Sequence, residues 1–238
     1  MGLCAILFAA LSQGNNLPAI WAFPLVLGIG ALAGVVNGLG VVYLEFPPIV
    51  ITLAMNGILQ AIALVYTDGY PSGFAPSGLR WLMTGASNGI TPAVPILLIL
   101  VFGATLLLSL TPFGRRVYAV GNSLRVARLS GVNVERTIIG VYALSGLCSA
   151  LVGVMLTGFA GQASLGMGDQ YLLPSVAVVV VGGTLITGGR GHYVGMLGGV
   201  LLLTALQVLL DGTTLPFAVR DILFGAVVLS AVVALREA

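Results

Sequence analysis

Apolar runs of 14 to 28 residues alternate with short polar or Gly/Pro-rich turns along most of the chain. A helix of about 20 apolar residues crosses the roughly 30 Å hydrocarbon layer of a bilayer. The runs Leu17–Leu44, Pro48–Tyr66, Pro92–Leu110, Thr137–Phe159, Leu173–Ile186, Tyr193–Leu210 and Pro216–Leu235 therefore predict seven spans. The fifth of these, Leu173–Ile186, is short and valine-rich, which predicts a compressed span or a half-span. Irregular backbone at that depth is tolerated only where protein or water covers it. Met1–Leu11 is apolar but too short to cross, and reads as the tail of a helix. It has no Lys or Arg before it, unlike a signal peptide. The expected class is an all-α polytopic transmembrane bundle, with residues 1–238 forming a single domain.

The polar breaks carry their own signals. Ser12–Asn16, Glu45–Pro48 and Asp211–Thr214 read as turns. Thr67–Thr91 is a long Gly/Pro/Ser-rich connection, and Leu79–Met83 with Arg80 and Trp81 predicts a short helix at the membrane surface, where Trp is favoured. Pro47 and Pro48 suit the opening of a helix, where a missing N–H costs little.

Inside the apolar runs, small residues recur at helical spacing. Gly30, Gly34 and Gly38 share one face, as do Gly191, Gly195 and Gly199, and such rows let helices approach closely. Gly182, Gly183, Gly188 and Gly189 are assigned to the same packing and to a sharp turn. Three amides interrupt the spans: Asn37, and Asn56 and Gln60 four apart on one face. Polar side chains are costly against lipid, so these are expected to face protein or line a path.

Composition agrees with a membrane chain: 58% of residues are hydrophobic, 7% are charged, and the mean hydropathy is +1.13. A soluble domain carries about 25% charge. Five of the nine arginines, Arg115, Arg116, Arg125, Arg128 and Arg136, fall in Thr111–Arg136. Short loops rich in Lys/Arg stay on the cytoplasmic side. Strict alternation from that anchor puts Glu45, Arg190, Arg236 and the C-terminus inside, and Asp68, Arg80, Asp169, Asp211, Arg220 and Asp221 outside. The basic charge is confined to one loop, which does not suit nucleic-acid binding.

Candidate chemistry is sparse. The single histidine, His192, excludes a multi-histidine metal site, and Cys4 and Cys148 in apolar runs form no metal or disulfide pattern. Gly28–Gly34 lacks the strand and downstream acid of a dinucleotide site. Gly183-x4-Gly188 is followed by Gly189-Arg190, not the Lys-Ser/Thr of a phosphate loop. Within Thr111–Arg136, Asn122–Leu129 predicts a short helix capped by Asn122 or Ser123 and ended by a left-handed Gly131. Leu124, Ala127 and Leu129 are read as its apolar side, against Arg125 and Arg128. Such a helix suits either anionic lipid headgroups or a cytoplasmic partner.

Three stretches, FGRRVYAVGNSLRVARLSGVNVER with YALSGLCSALVGVM, VAVVVVGGTLITGGRGHYVGMLGGVLL, and GVVNGLGVVYLEFPPIVITLAMNGILQAIALVYTDGYP, resemble permease subunits of bacterial ABC sugar importers. These are of the ribose, xylose and galactoside type, in the wider family that includes branched-chain amino-acid permeases. The second stretch resembles the family's Gly-Gly-Thr-x-x-x-Gly-Gly-x-Gly signature. The resemblance implies a multi-pass inner-membrane protein that pairs with a second permease subunit, two cytoplasmic ATP-binding subunits and a periplasmic sugar-binding protein. ATP and magnesium would be bound in the partner, with no cofactor in this chain and no enzymatic activity of its own. The family's coupling segment falls on Asn122, Arg125, Ala127, Arg128, Leu129, Ser130, Gly131 and Val132. Family members carry about ten helices, several of them upstream, so the chain reads as N-terminally truncated. Two other readings stand beside this one. A secondary transporter would use membrane-embedded acids, and none lies mid-span; a nonfunctional remnant would transport nothing.

Overall fold

A computed structural model describes residues 1–70, 73–85, 91–184, 191, 193–213, 216, 219–220 and 222–227. Its elements are α1 (Gly2–Ser12), α2 (Asn16–Tyr43), α3 (Pro48–Thr67), α4 (Ser77–Thr84), α5 (Ala93–Leu110), α6 (Pro112–Asn122), α7 (Leu124–Leu129), α8 (Val134–Ala160), a 3-10 turn (Asp169–Tyr171), α9 (Leu172–Val181) and α10 (Tyr193–Asp211). Residues 219–220 and 222–227 are also helical. The chain divides into two compact units: Met1–Val117 with Ala127–Asp169, and Tyr118–Val126 with Gln170–Ala238.

In the first unit α2 and α8 form an antiparallel pair. Gly30 lies against Gly146 and Ala150, Gly34 against Tyr142 and Ala143, and Gly38 against Ile139. A Cβ on Gly34 would fall on the Tyr142 carbonyl oxygen, and one on Gly38 would lie 2.9 Å from Ile139 Cα. The glycine row is what permits backbone to meet backbone. α1 completes this core: Cys4 and Phe8 join Ala22, Val26, Ala150 and Val154. A second cluster joins Ala5, Ile6 and Ala9 of α1 to Ala63 of α3 and Ala163. α1 is about 16 Å long, and Ile6 and Phe8 are among the largest fully buried side chains. α3 buries only Ala63 and Thr67, and α5 buries nothing. Apolar exposure of that kind is stable in lipid, which solvates it as well as a core would.

The polar breaks are held by specific bonds. Gln13 and Gly14 turn the chain with positive φ. Asn16 Oδ1 accepts from Gly78 N at 2.9 Å, and Asn16 Nδ2 donates to Ser77 Oγ at 3.2 Å, tying α4 to the start of α2. Ala75 N donates to Gly161 O, beside an isolated antiparallel bridge between Phe74 and Gln162. α4 is the short surface helix predicted around Trp81, whose side chain is exposed.

In the second unit α9 and α10 run antiparallel. A Cβ on Gly182 would lie 2.6 Å from Met196 Cα, and one on Gly199 would lie 2.7 Å from Val178 O. Gly195 meets the Gly182 carbonyl in the same way. Gly191 faces the Thr184 side chain. Gly183 differs from the packing expectation: nothing lies within 4 Å of an added Cβ, and its φ of +79° makes it a turn residue. Gly188, Gly189 and His192 lie outside the described residues. Arg220 pairs with Asp211 at 3.3 Å and donates to Thr213 O.

Five helices among the described residues, α2, α3, α5, α8 and α10, are long and apolar enough to cross a membrane. They account for five of the seven expected spans, and α9 answers to the half-span read over Leu173–Ile186. α9 has ten residues, about 15 Å, half the hydrocarbon thickness, because the Gly182–Gly183 turn stops it. Much of Pro216–Leu235 lies outside the described residues.

Candidate functional site

The arginine-rich segment between α5 and α8 is more helical than its sequence suggests. Thr111 Oγ1 accepts from Gly114 N at 3.2 Å, and Pro112 follows it, so α6 begins where the sequence reading had loop. A side-chain acceptor followed by proline at the first helical position is a start signal. The arginines masked it by marking the stretch only as polar. Gly114 lies against the Leu108 backbone, and Phe113 lies against α8, where a Cβ on Gly140 would be 3.0 Å from its ring.

The expected coupling residues divide between the two units, Asn122 and Arg125 in the second and Ala127 to Val132 in the first. In Tyr118–Val126, Ser123 Oγ accepts from Val126 N at 3.3 Å. Ser123 is therefore the cap, and the short helix spans Leu124–Leu129 instead of starting at Asn122. Asn122, Leu124 and Arg125 are exposed. In Ala127–Val132, Gly131 N donates to Arg128 O at 3.1 Å and Val132 N to Ala127 O at 3.0 Å. That pair of bonds, with Gly131 at φ +77°, closes the helix as a Schellman cap.

One expectation about this helix is corrected. Ala127 is buried, but Leu124 and Leu129 are 56% and 81% exposed. Residues two apart on a helix are separated by about 200°, so Leu129 cannot share the Ala127 side. It lies instead on the side of Arg125 and Arg128. Within the first unit Arg128 and Leu129 are exposed side by side in sequence. Arg128 approaches Glu135 at 3.9 Å with both groups largely exposed, a contact worth little. Ser130 and Gly131 are exposed and Val132 is half-buried.

Beside this surface, within the first unit, is a cavity of about 300 Å3. It is lined by Phe113, Gly131, Val132 and Thr137 together with Arg116, Asn133 and Arg136. Asn133 Oδ1 caps α8 by accepting from Arg136 N at 2.9 Å, and Thr137 Oγ1 donates to Asn133 O at 2.8 Å. Among the described residues, neither Arg116 nor Arg136 has a carboxylate within ion-pairing distance.

The three amides separate. Asn37 is half-buried on α2, and its Oδ1 is buried with no hydrogen-bond partner. Asn56 is half-buried on α3. One turn on, Gln60 Nε2 donates to Asp169 Oδ1 at 2.8 Å. No hydrogen bond links Asn37 or Asn56 to Gln60. Sequence reasoning missed Asp169 as a partner, since 109 positions separate the two. Thr52, Asn56 and Gln60 continue as one polar row at spacings of four. Among the described residues no three His, Cys, Asp or Glu side chains are grouped to hold a metal.

The family described as "Branched-chain amino acid transport system / permease component" matches residues 1–232. The autoinducer 2 import system permease protein LsrD of Photorhabdus laumondii is 32% identical over 98% of this chain and 72% of its own length. LsrC, from the corresponding system of an Enterobacter species, is 36% identical over 98% of this chain and 68% of its own. The ribose import permease protein RbsC of Bacillus subtilis is 40% identical over 72% of this chain and 54% of its own. No solved structure matches the chain.

Proposed function

The chain belongs to the branched-chain amino acid transport system permease family, and on that premise we propose that it is the membrane-spanning subunit of an ATP-driven importer for a sugar or a related small polar solute. The observation that carries this reading is the family match over residues 1–232. The ribose and autoinducer 2 permeases among its relatives support the solute class. In this reading the chain hydrolyses nothing. ATP and magnesium act in a separate cytoplasmic subunit, and a second permease subunit and an external binding protein complete the assembly in a bacterial inner membrane.

The coupling surface is Asn122, Arg125, Ala127, Arg128, Leu129, Ser130, Gly131 and Val132. Its two exposed arginines and exposed Leu129 suit a partner that offers carboxylates around an apolar slot. Such a surface transmits a change only if its contacts differ between the partner's nucleotide states. The path is lined by Asn37, Asn56 and Gln60, with Asp169 added as Gln60's partner. Hydroxyl-rich solutes need donors and acceptors in place of water, and amides supply both.

The test is reconstitution of the purified chain with its ATP-binding subunit in vesicles, using labelled ribose as the probe. Uptake is expected only with ATP and the partner present; uptake driven by an ion gradient alone would overturn the reading. Arg125→Glu and Arg128→Glu are each expected to reduce co-purification of the ATP-binding subunit several-fold. Undiminished recovery with both variants would remove the coupling assignment.

A further inference from the structure

We propose that the cavity beneath Arg116 and Arg136 is a binding site for the phosphate of an anionic phospholipid headgroup. Charge is the first reason. Thr111–Arg136 carries five arginines and one acid, Glu135, and that acid lies by Arg128. The two cations of the cavity are left without a counter-ion among the described residues. Guanidinium groups bind phosphate oxygens through paired N–H donors.

Shape and depth are the second reason. The cavity holds about 300 Å3, far more than a chloride needs and within the range of small-molecule pockets. Phe113 and Val132 give it an apolar side, next to two arginines and the polar Asn133. It also sits level with the ends of two membrane-length helices. Phe113 comes three residues after the end of α5, and Val132 two before the start of α8. A headgroup entering there sets its phosphate between Arg116 and Arg136 while its glycerol rests on Phe113 and Val132. A soluble anion would gain nothing from that apolar side. An acidic side chain of a protein partner is the competing occupant, but it would gain nothing from Phe113 and Val132.

The proposal needs only the family's membrane setting, although two lining residues, Gly131 and Val132, also belong to the proposed coupling surface, so lipid retention and recovery of the ATP-binding subunit are read separately. The experiment measures phospholipid retained by the protein after extraction from discs made of equal amounts of phosphatidylcholine and phosphatidylglycerol. Native mass spectrometry reads the bound lipid. Wild-type protein is expected to retain phosphatidylglycerol selectively, and higher salt is expected to reduce the retention. The double variant Arg116→Gln/Arg136→Gln is expected to lose roughly twenty-five-fold in retention, about five-fold for each arginine near a charged surface. Arg125→Gln/Arg128→Gln is expected to retain the lipid as wild type does. Equal retention by the first pair, equal loss in both pairs, or retention indifferent to salt would each overturn the proposal. So would displacement of the lipid by inorganic phosphate at constant ionic strength, which would make the ligand a free anion. Loss of the ATP-binding subunit from the first pair with lipid retention unchanged would assign the cavity to a protein carboxylate instead. Arg116 and Arg136 are exposed, and an unchanged helical circular dichroism spectrum checks that the variants are folded.

Discussion

At Gly131 a single backbone angle decides whether α7 ends where it does. Its φ is +77°, and nothing lies within 4 Å of an added Cβ. A side chain there would meet no clash; the cost is conformational, about 1–2 kcal/mol for a left-handed L-residue. Gly131→Val is therefore expected to fold and insert but to redirect residues 130–133, weakening ATP-driven uptake more than it weakens the protein. Uptake and a thermal melt measured together check this, and normal uptake would count against the role. Gln60 and Asp169 make a different kind of prediction. Their bond is exposed, so a double-mutant cycle of Gln60→Ala and Asp169→Ala is expected to give a coupling of roughly 0.5–1.5 kcal/mol in stability. A coupling of zero would remove the contact. Gln60 was legible as a costly polar residue in a span. Asp169 was not, because a loop acid carries no sign of which distant helix it will meet.

Between helices, the glycines sort by what surrounds them. Gly34 lies against the Tyr142 carbonyl, whereas Gly57 on α3 has nothing within 4 Å. Gly34→Leu is expected to destabilise by at least the 1–3 kcal/mol typical of overpacking, because neither backbone can yield separately. Gly57→Ala is expected to be neutral or to raise stability by up to about 1 kcal/mol, the difference in helix propensity. Melting the two variants in detergent checks the contrast, and equal effects would refute the packing. The four-residue spacing made the row on α2 visible in the sequence, and α2, α3, α5, α8 and α10 were visible by period and length, although α8 starts at Val134, three residues before the Thr137 read from the sequence. α6 was not. Its Thr111-Pro112 start signal is local and cheap to overlook beside three nearby arginines and glycines. α1 was also undervalued. Its length ruled it out as a span, but length says nothing about burial, and Ile6 and Phe8 lie in the deepest packing of the first unit.

For the molecule as a whole, orientation follows from one proposed anchor, residues 111–136 facing the cytoplasm. The antiparallel turn of α9 and α10 makes the rest insensitive to how deep α9 reaches. Whether α9 ends midway or emerges, Asp211 returns to the side from which α9 set out. Arg125→Cys, in a background with Cys4 and Cys148 replaced by serine, is expected to resist an impermeant thiol reagent on intact cells and to react in inverted vesicles; labelling of intact cells would reverse the topology. The α2–α8 seam has a mechanical corollary. Where main chains touch through glycine there is no side chain to change rotamer and absorb a displacement, so from Gly30 to Gly38, about 12 Å, the two helices act as one rigid strut. Any tilt imposed at Ile139 must reappear at Gly30 almost undiminished, whereas Pro24 leaves the first turns of α2 free to bend. Pivoting is left to the sparsely packed α3 and α5, where spin-label separations should change during a turnover that leaves the strut's own width constant.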